Sequence, residues 1–268
     1  MRQLLKAFLH LLPRLFSDKN FLIFLNYKKL FLYSFLLHRF KPTTADKEKQ
    51  VAIFGHTISF FNYPVLINQF EEIFIYRSYR FESEKKSPLI FDCGSNIGIS
   101  VLYFKIFYPS CKISAFEPDP ENFMLLKRNV EQNRFSDIVL NACALGKEEG
   151  ICKLFSYGKG SLNTSIYSND TKEFIEVPMR KLSSHIVGEI DFMKMDVEGA
   201  EGEIVQELAY SGKLKNVREM VLEYHQKSLV RESELVSVMK NAGFLALNHP
   251  QVYLSGPEKL LHFKKIEA

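Results

Sequence analysis

The sequence predicts an α/β fold, a mostly parallel sheet with helices on both faces, preceded by an N-terminal helical appendage. Three observations predict it. Residues 88–100, Pro-Leu-Ile-Phe-Asp-Cys-Gly-Ser-Asn-Ile-Gly-Ile-Ser, read as an apolar strand ending in Asp92, a glycine turn and the start of a helix. Ala115-Phe-Glu-Pro-Asp-Pro120 reads as a second strand ending in an acid, Glu117, followed by a helix start. Beyond it, strand-like and helix-like patterns keep alternating, as a parallel sheet requires.

In chain order, Leu4–Phe16 and Phe21–Phe40 read as helices, with Pro13 bending or ending the first. The polar stretch 41–50 reads as a linker, and Val51–Phe54 with Thr57–Phe61 as a hairpin about Gly55-His56. The aromatics of 65–81 (Phe70, Phe74, Tyr76, Tyr79, Phe81) are assigned to the core. Core strands follow at Leu89–Asp92, Lys112–Glu117, Ile138–Asn141, Asp191–Asp196 and Arg218–Tyr224. Asp119 caps the helix after the second strand, with Pro120 at its first position. Ile97–Phe107, apolar nearly all round, is expected to be covered on both faces. Residues 146–185 are the least regular part, with a further strand at Ile175–Pro178. Ser233–Asn241 reads as a helix closed by Gly243, and Phe244–Asn248 with Gln251–Leu254 as the last antiparallel strands. The expected layout is a helical segment 1–41, a linker and hairpin cap 42–87, and a ligand-binding domain 88–268.

A chain of 268 residues closes a core of that size. The net charge of +4 is unevenly placed: residues 1–41 carry eight Lys/Arg and one acid, Asp18, and the rest is acidic overall. Two readings of the basic, Phe-rich segment stay open. It packs on the domain with Lys and Arg facing water, or it lies as a peripheral contact on an anionic membrane surface. Its apolar runs are too short to span a bilayer. No recognition motif accompanies the basic charge, so no nucleic-acid partner is expected. Cys93, Cys111, Cys143 and Cys152 show neither a C-x-x-C spacing nor a zinc pattern, which points to buried free thiols, a reducing compartment and a cytoplasmic protein. No small-residue cleavage site follows the first apolar stretch, so no signal peptide is expected. The sequence does not reveal an oligomeric state.

The two motifs also narrow the ligand. Gly94 and Gly98 let the backbone approach a ligand closely. Glu117, 23 residues beyond Gly94, stands where an acid accepts both hydroxyls of a ribose. A dinucleotide fold wants G-x-G-x-x-G and a pyrophosphate at the helix start. Here the third glycine is missing, and Asp92 occupies the place of that negative group. An acid there repels a pyrophosphate and attracts a cationic headgroup. The residues therefore favour S-adenosylmethionine, a sulfonium without phosphate, over NAD.

Asp92-Cys-Gly-Ser-Asn-Ile-Gly, Phe116-Glu-Pro-Asp-Pro, Ala144-Leu-Gly146 and Lys194-Met-Asp-Val-Glu-Gly-Ala-Glu201 together resemble the FkbM-type family of S-adenosylmethionine-dependent methyltransferases over approximately residues 71 to 225. The resemblance implies a Rossmann-like seven-stranded methyltransferase sheet, mostly parallel with an antiparallel last strand. It implies methyl transfer, usually to oxygen, on sugars or small natural products. It also implies that the segment 65–81 covers the cofactor mouth, that Asn141 and Ala142 meet the adenine edge, and that Gly160-Ser-Leu-Asn-Thr-Ser165 lies near the mouth of the site. Ser161 and Asn163 become candidate contacts there.

Transfer of a methyl group to a hydroxyl needs a positioned acceptor and a base for its proton. Such groups belong at the carboxyl ends of strands. That criterion selects Asp196 and Glu198 after the fourth core strand, and Glu223 and His225 after the fifth. Asp196, Glu198 and His225 are the expected catalytic residues. Asp92, Gly94, Ser95, Asn96 and Gly98 are expected to hold the amino-acid end of the cofactor, Glu117 its ribose, and Asn141 with Ala142 its adenine. Lys194 is expected to pair with an acid or neutralise the cluster. Glu201 is read as a helix-start acid without a role in the site. His56, His185 and His249 are read as structural, and no spacing demands a metal. The acceptor is a sugar, glycan or small molecule. Two alternatives remain at this point: an NAD-dependent sugar oxidoreductase, and a non-catalytic, membrane-associated scaffold with a methyltransferase fold.

Overall fold

The computed structural model describes residues 18–40, 47–155, 165–167, 173–247 and 258–266. Its centre is a seven-stranded sheet made of β3 (Leu89–Cys93), β4 (Lys112–Phe116), β5 (Ile138–Asn141), β9 (Phe192–Met195), β10 (Glu219–Tyr224), β11 (Phe244–Leu247) and β12 (Lys259–Lys265). The spatial order is β11-β12-β10-β9-β3-β4-β5. Pairings from β10 through β5 are parallel, and β12 runs antiparallel to both β10 and β11. The expected mixed sheet with helices about it is the one observed.

The two central strands explain their own sequences. All four residues of β9 are buried, as are Ile90 to Cys93 of β3, because helices cover both faces. An unbroken apolar run is what such strands require. The chain leaves β3 toward β4 on one side and reaches β9 on the other, so β3 and β9 flank the point where the strand order reverses. Ligands in open parallel sheets bind outside the carboxyl ends at such a point.

Helix α3 (Ile99–Phe107) follows β3, and every residue from Ile99 to Lys105 is buried. Helix α4 (Pro120–Gln132) follows β4. The Asp119 carboxylate accepts the N–H groups of Glu121 and Asn122 at 2.9 and 3.0 Å, and Pro120 holds the first position. Helices α5 (Glu201–Tyr210) and α6 (Glu232–Asn241) follow β9 and β10. A small second sheet, ordered β6-β8-β7, joins β6 (Ala144–Gly146), β7 (Gly150–Phe155) and β8 (Phe174–Lys181). Cys93, Cys111 and Cys143 are buried free thiols, and Cys152 is half-buried.

Ahead of the sheet come α1 (Asp18–Phe40), the hairpin β1 (Lys49–Ile53) and β2 (His56–Phe60), α2 (Tyr63–Phe70) and a π-helical turn at Glu71–Ile75. Ile23, Tyr27 and Leu30 of α1 are buried in one apolar cluster with Phe70 and Phe74, which continues into Val101 and Tyr103 of α3. This face of α1 therefore packs on the rest of the protein. Its other face exposes Phe21, Leu22, Leu25, Leu32 and Tyr33. No helix among the described residues is long and apolar enough to cross a membrane.

The helix expected at Leu4–Phe16 and the strand expected at Gln251–Leu254 lie outside the described residues. The strand that closes the sheet is β12, further along, inserted between β10 and β11. The segment 63–75, read from sequence only as aromatic core, is helical. Asn62 caps it through Val65 N–H at 3.5 Å, with proline in its first turn.

Candidate active site

A cavity of about 280 Å³ opens at the carboxyl ends of β3 and β9. That is close to the lower end of small-molecule sites, about 300–1,000 Å³. Its floor is the turn Gly94-Ser95-Asn96. One wall is Glu117 and Pro118 after β4, and the apolar Cys143, Ala144 and Leu145 of the next loop extend it. The opposite wall is Lys194, Asp196 and Glu198 after β9 with Glu223 and His225 of β10, and Glu72 and Tyr79 reach in from the segment before the sheet.

The floor depends on two loops crossing at van der Waals distance. A Cβ on Gly94 would stand 1.7 Å from the carbonyl oxygen of Asp196, and Gly94 has φ +82°. Only glycine fits there. Lys194 Nζ donates to the Gly94 carbonyl and sits 3.5 Å from both Asp92 Oδ1 and Asp196 Oδ2. Burial alone would lower this lysine, but Asp196 first, then Asp92, Glu72 and Glu223, hold it charged.

Glu117 is 4% exposed, and both its oxygens are engaged. Oε2 accepts Asn96 N–H at 2.8 Å and Oε1 accepts Asp119 N–H at 2.9 Å. Burial pushes its carboxyl up to about 8 against these two hydrogen bonds. The carboxylate is thus fixed in direction, with its remaining lone pairs at the cavity wall.

Across the cavity, His225 is the hub of an acidic cluster. Its Nδ1 lies 2.8 Å from Glu201 Oε1; its Nε2 lies 3.4 Å from Glu198 and 4.0 Å from Glu223. Burial alone would lower its pKa. The hydrogen bond and charge of Glu201, with Glu198 and Asp196, instead push it up to about 9. At neutral pH the imidazole is charged. Lys227 Nζ pairs with Glu198 at 2.6 Å. Glu198 itself has φ +57°, an uncommon conformation for a non-glycine residue and one that clusters at functional sites. Asp196, Glu198 and His225 offer ligand atoms within 4.8 Å of one another, a spacing that can hold a cation.

The structure brings Gly94, Ser95, Asn96, Glu117, Asp196, Glu198 and His225 to one cavity, and it sets four other expected residues outside the cavity lining. Asp92 is fully buried behind the wall: its Oδ2 accepts the Ser100 hydroxyl at 2.6 Å, and its cross-strand neighbour Lys194 offsets its charge. It ties α3 and Lys194 to β3. Gly98 is not in the wall either; a Cβ there would stand 2.7 Å from Leu126, so its role is the packing of α4. The Asn141 amide turns back to Ser114 Oγ and the Ala115 carbonyl at 3.2 and 3.1 Å. Ala142 faces solvent, and the apolar wall begins one residue later, at Cys143.

Glu72 was not expected in the site; Tyr79, expected in the core, is buried and also lines the cavity, and Glu201 reaches the site through His225. Glu201 carried a signal, its place seven residues after Lys194 in an acid-rich run. For Glu72 the signal was regional only: the resemblance sets the segment 65–81 over the cofactor mouth, and nothing in the local sequence shows which of its side chains turns inward. Ser161 and Asn163 lie outside the described residues. Ser165, at the end of the same run, donates to the Glu198 carbonyl at 2.6 Å.

This strand order, with its ligand cavity at the reversal and an acid ending the neighbouring strand, is that of a methyltransferase-type α/β fold. Residues 92–246 match the methyltransferase FkbM domain, more than half of the chain, and the chain belongs to the FkbM methyltransferase family. The match begins later and ends later than the stretch the sequence motifs outlined. Relatives include Methyltransferase 1 of Beauveria bassiana, 30% identical over 163 residues, covering 52% of this chain and 65% of the relative. The 31-O-demethyl-FK506 methyltransferase FkbM of Streptomyces tacrolimicus is 24% identical over 225 residues, covering 70% and 85%. The crystal structure of methyltransferase FkbM from Methylobacillus flagellatus KT aligns with a TM-score of 0.48 and 16% identity, over 75% of this chain and 53% of that one. The chain thus spans less than two thirds of the Beauveria relative and about half of the solved structure. None of these matches supports the oxidoreductase or the scaffold reading.

Proposed function

We propose that this methyltransferase uses S-adenosylmethionine and methylates a hydroxyl group of a sugar, glycan or small molecule. The observation that carries the reading is the pairing, across one cavity, of a backbone-oriented Glu117 with an acid-rich wall. Acids outnumber cations around it. The lining holds Glu71, Glu72, Glu117, Asp196, Glu198, Glu223 and Glu258 against Lys194 and His225. A sulfonium entering this lining favours the charged forms of the raised carboxyls of Glu72, Glu117 and Glu223, and a phosphate opposes them. The match to a relative named for 31-O-demethyl-FK506, a compound described as lacking an O-methyl group, agrees with oxygen as the acceptor.

When bound, S-adenosylmethionine supplies a methyl group already activated by its positive sulfur. This chain's own residues then have three tasks. Glu117, held by Asn96 and Asp119 N–H groups, accepts the ribose hydroxyls. The Gly94–Asn96 turn receives the amino-acid end, with Lys194 available to its carboxylate, and Cys143 with Ala144 covers the base. Asp196, Glu198 and the charged His225 orient the acceptor hydroxyl. His225 keeps its proton near neutrality, so we assign it to orientation and not to the base expected from its residue type alone.

Calorimetric titration with S-adenosylhomocysteine tests the reading. We expect saturable binding by the wild type and a loss of at least tenfold in affinity for Glu117→Ala, since about 1.4 kcal/mol of hydrogen bonding suffices for that. No binding by the wild type, or unchanged binding by the variant, overturns it.

A further inference from the structure

We propose that Glu72, brought into the cavity by the π-helical turn before the sheet, is the group that takes the proton from the acceptor hydroxyl. The inference rests on the O-methylation reading above and deepens it.

The segment 71–75 is wound with an i→i+5 hydrogen bond, Tyr76 N–H to the Glu71 carbonyl at 2.9 Å. Such turns appear mostly as single insertions at functional sites, because they rotate the following side chains out of α-helical phase. The turn is anchored at both ends. Glu71 accepts from the Tyr27 hydroxyl of α1, and the Glu72 carbonyl accepts the Ser78 N–H at 3.2 Å and its hydroxyl at 3.0 Å. Glu72 then lines the cavity, where Oε1 accepts the hydroxyl of the buried Tyr79 at 2.6 Å.

Elimination among the carboxylates nearest Lys194 and His225 leads to the same residue; of the others in the lining, Glu117 is held by the Asn96 and Asp119 N–H groups and Glu71 by the Tyr27 hydroxyl. A carboxylate held by a cation is a poor proton acceptor, because accepting the proton breaks the ion pair. Asp196 has Lys194 at 3.5 Å, Glu198 has Lys227 at 2.6 Å, and Glu201 has His225 at 2.8 Å. Glu223 lies 4.0 Å from His225, and burial with the charges of Asp196, Glu72 and Glu198 pushes its carboxyl up. Glu72 is left, with a neutral tyrosine hydroxyl on one oxygen and no ion pair within 4.0 Å among the described residues.

The titratable groups that face it come from three elements: Asp196 and Lys194 at the end of β9, Glu223 and His225 at the end of β10, and the neutral Tyr79 from its own segment. Burial first, then Asp196, raise its carboxyl to about 7, against the Tyr79 hydrogen bond and the charges of Lys194 and His225. A base works best when its pKa lies near the working pH.

The step balances. The acceptor O–H proton goes to a Glu72 oxygen as the oxygen forms its bond to the methyl carbon. The carbon–sulfur bond breaks, its electron pair stays on sulfur, and the sulfonium becomes a neutral thioether. One carboxylate and one sulfonium give one carboxylic acid and one thioether, with no change in total charge.

S-Adenosylmethionine and S-adenosylhomocysteine differ at sulfur by the methyl group and its positive charge, so together they probe Glu72 without a known acceptor. Each is titrated calorimetrically at pH 7 in buffers of different ionisation enthalpy, which counts protons released on binding. The wild type should release more protons with the sulfonium than with the thioether, up to about half a proton per site, as the charge expels the proton from Glu72. Glu117, pushed up to about 8, titrates as well, so the reading is the difference between wild type and variant. Glu72→Gln, which keeps the Tyr79 contact and the shape, should bind both compounds and lose most of that difference. Glu72→Asp should keep part of it. With methyl-labelled cofactor and a pooled panel of free sugars, nucleotide sugars and oligosaccharides, Glu72→Gln should transfer at least ~100-fold more slowly than wild type. An unchanged proton difference in Glu72→Gln, or transfer within threefold of wild type, overturns the role of Glu72 while leaving the methyltransferase reading intact. Failure of the wild type to bind either compound overturns both.

Discussion

The imidazole of His225 and the carboxylate of Glu201 form a buried pair, Nδ1 to Oε1 at 2.8 Å, that fastens the β9–α5 loop to the end of β10. The same glutamate oxygen accepts Gly199 N–H at 2.9 Å, and the side chain is fully buried. Glu201→Ala would leave an imidazolium with a lost partner and an unpaired N–H. The expected cost is about 3 kcal/mol, read by urea denaturation, since breaking a buried pair from one side costs more than the pair contributes. Glu201→Gln should also move the His225 titration down by at least about one pH unit, followed by NMR of the imidazole. A titration that stays in place would show that Glu201 does not govern the histidine.

The same pair makes stability depend on pH. The folded pKa of His225 is about 9 and its ordinary value is 6.5. A raised pKa means that the charged form stabilises the native state. That contribution is complete below about pH 6.5 and is lost as pH rises through about 9. The gap in unfolding free energy between wild type and His225→Asn should therefore be largest near pH 6. It should shrink by up to about 3 kcal/mol by pH 10. Glu72 and Glu117 titrate in the same range in both proteins, so the gap, and not the wild-type curve, is the quantity to follow. A gap that widens with pH would contradict the charged histidine.

How far the sequence reveals this site depends on which contacts are local. Strands and caps were legible because their patterns lie within a few residues: the apolar run before Asp92, the Asp119-Pro120 helix start, the hairpin about Gly55-His56, whose turn the structure sets one residue earlier. The floor and both lining strand ends followed from the same patterns. Side-chain direction did not follow. Asp92 reads as a ligand acid, and only the register that sets Lys194 beside it shows that its charge is already offset. Asn141 reads as an adenine contact, yet its amide is taken by Ser114 and Ala115 on the neighbouring strand. Glu201 reads as a helix-start acid because His225 is 24 residues away in sequence. Glu72 stands more than a hundred residues before its electrostatic partners, and a π turn leaves no mark in hydrophobic periodicity. The strand β12 escaped because the chain crosses past β11 before returning between it and β10.

Two glycines with similar backbone angles should respond very differently to alanine. Gly94 has φ +82°, and a Cβ added there would meet the Asp196 carbonyl at 1.7 Å; Gly212 has φ +70° and nothing within 4 Å. Gly212→Ala should cost only the conformational penalty, about 1 kcal/mol. Gly94→Ala adds a clash of backbone on backbone that no side-chain rotation relieves. It should cost well over about 2 kcal/mol and, by parting β3 from the β9 loop, weaken cofactor binding in the variant that remains folded. Thermal unfolding of the two variants side by side provides the comparison. Equal costs would mean that the crossing of these loops does not constrain the fold.

Asn129 offers a sharper test of how the hairpin is held to the sheet domain. From α4, its Oδ1 accepts Ser59 N–H at 2.7 Å, and its Nδ2 donates to the Ser59 and Ile97 carbonyls at 3.0 and 2.8 Å. It thus pairs with Ser59 as a neighbouring strand would, while also reaching the turn that forms the cavity floor. The side chain is 3% exposed, and so is shielded from water that could replace it. Asn129→Ala would leave one buried N–H and two buried carbonyls short of a partner. The expected loss is about 3 kcal/mol, the sum of a few desolvation penalties of about 1 kcal/mol each. Amide exchange should rise first at Ser59, whose N–H loses its acceptor, and spread through β2 before the central strands open. Protection of Ser59 equal to that in the wild type would show that the hairpin is held by its apolar face alone.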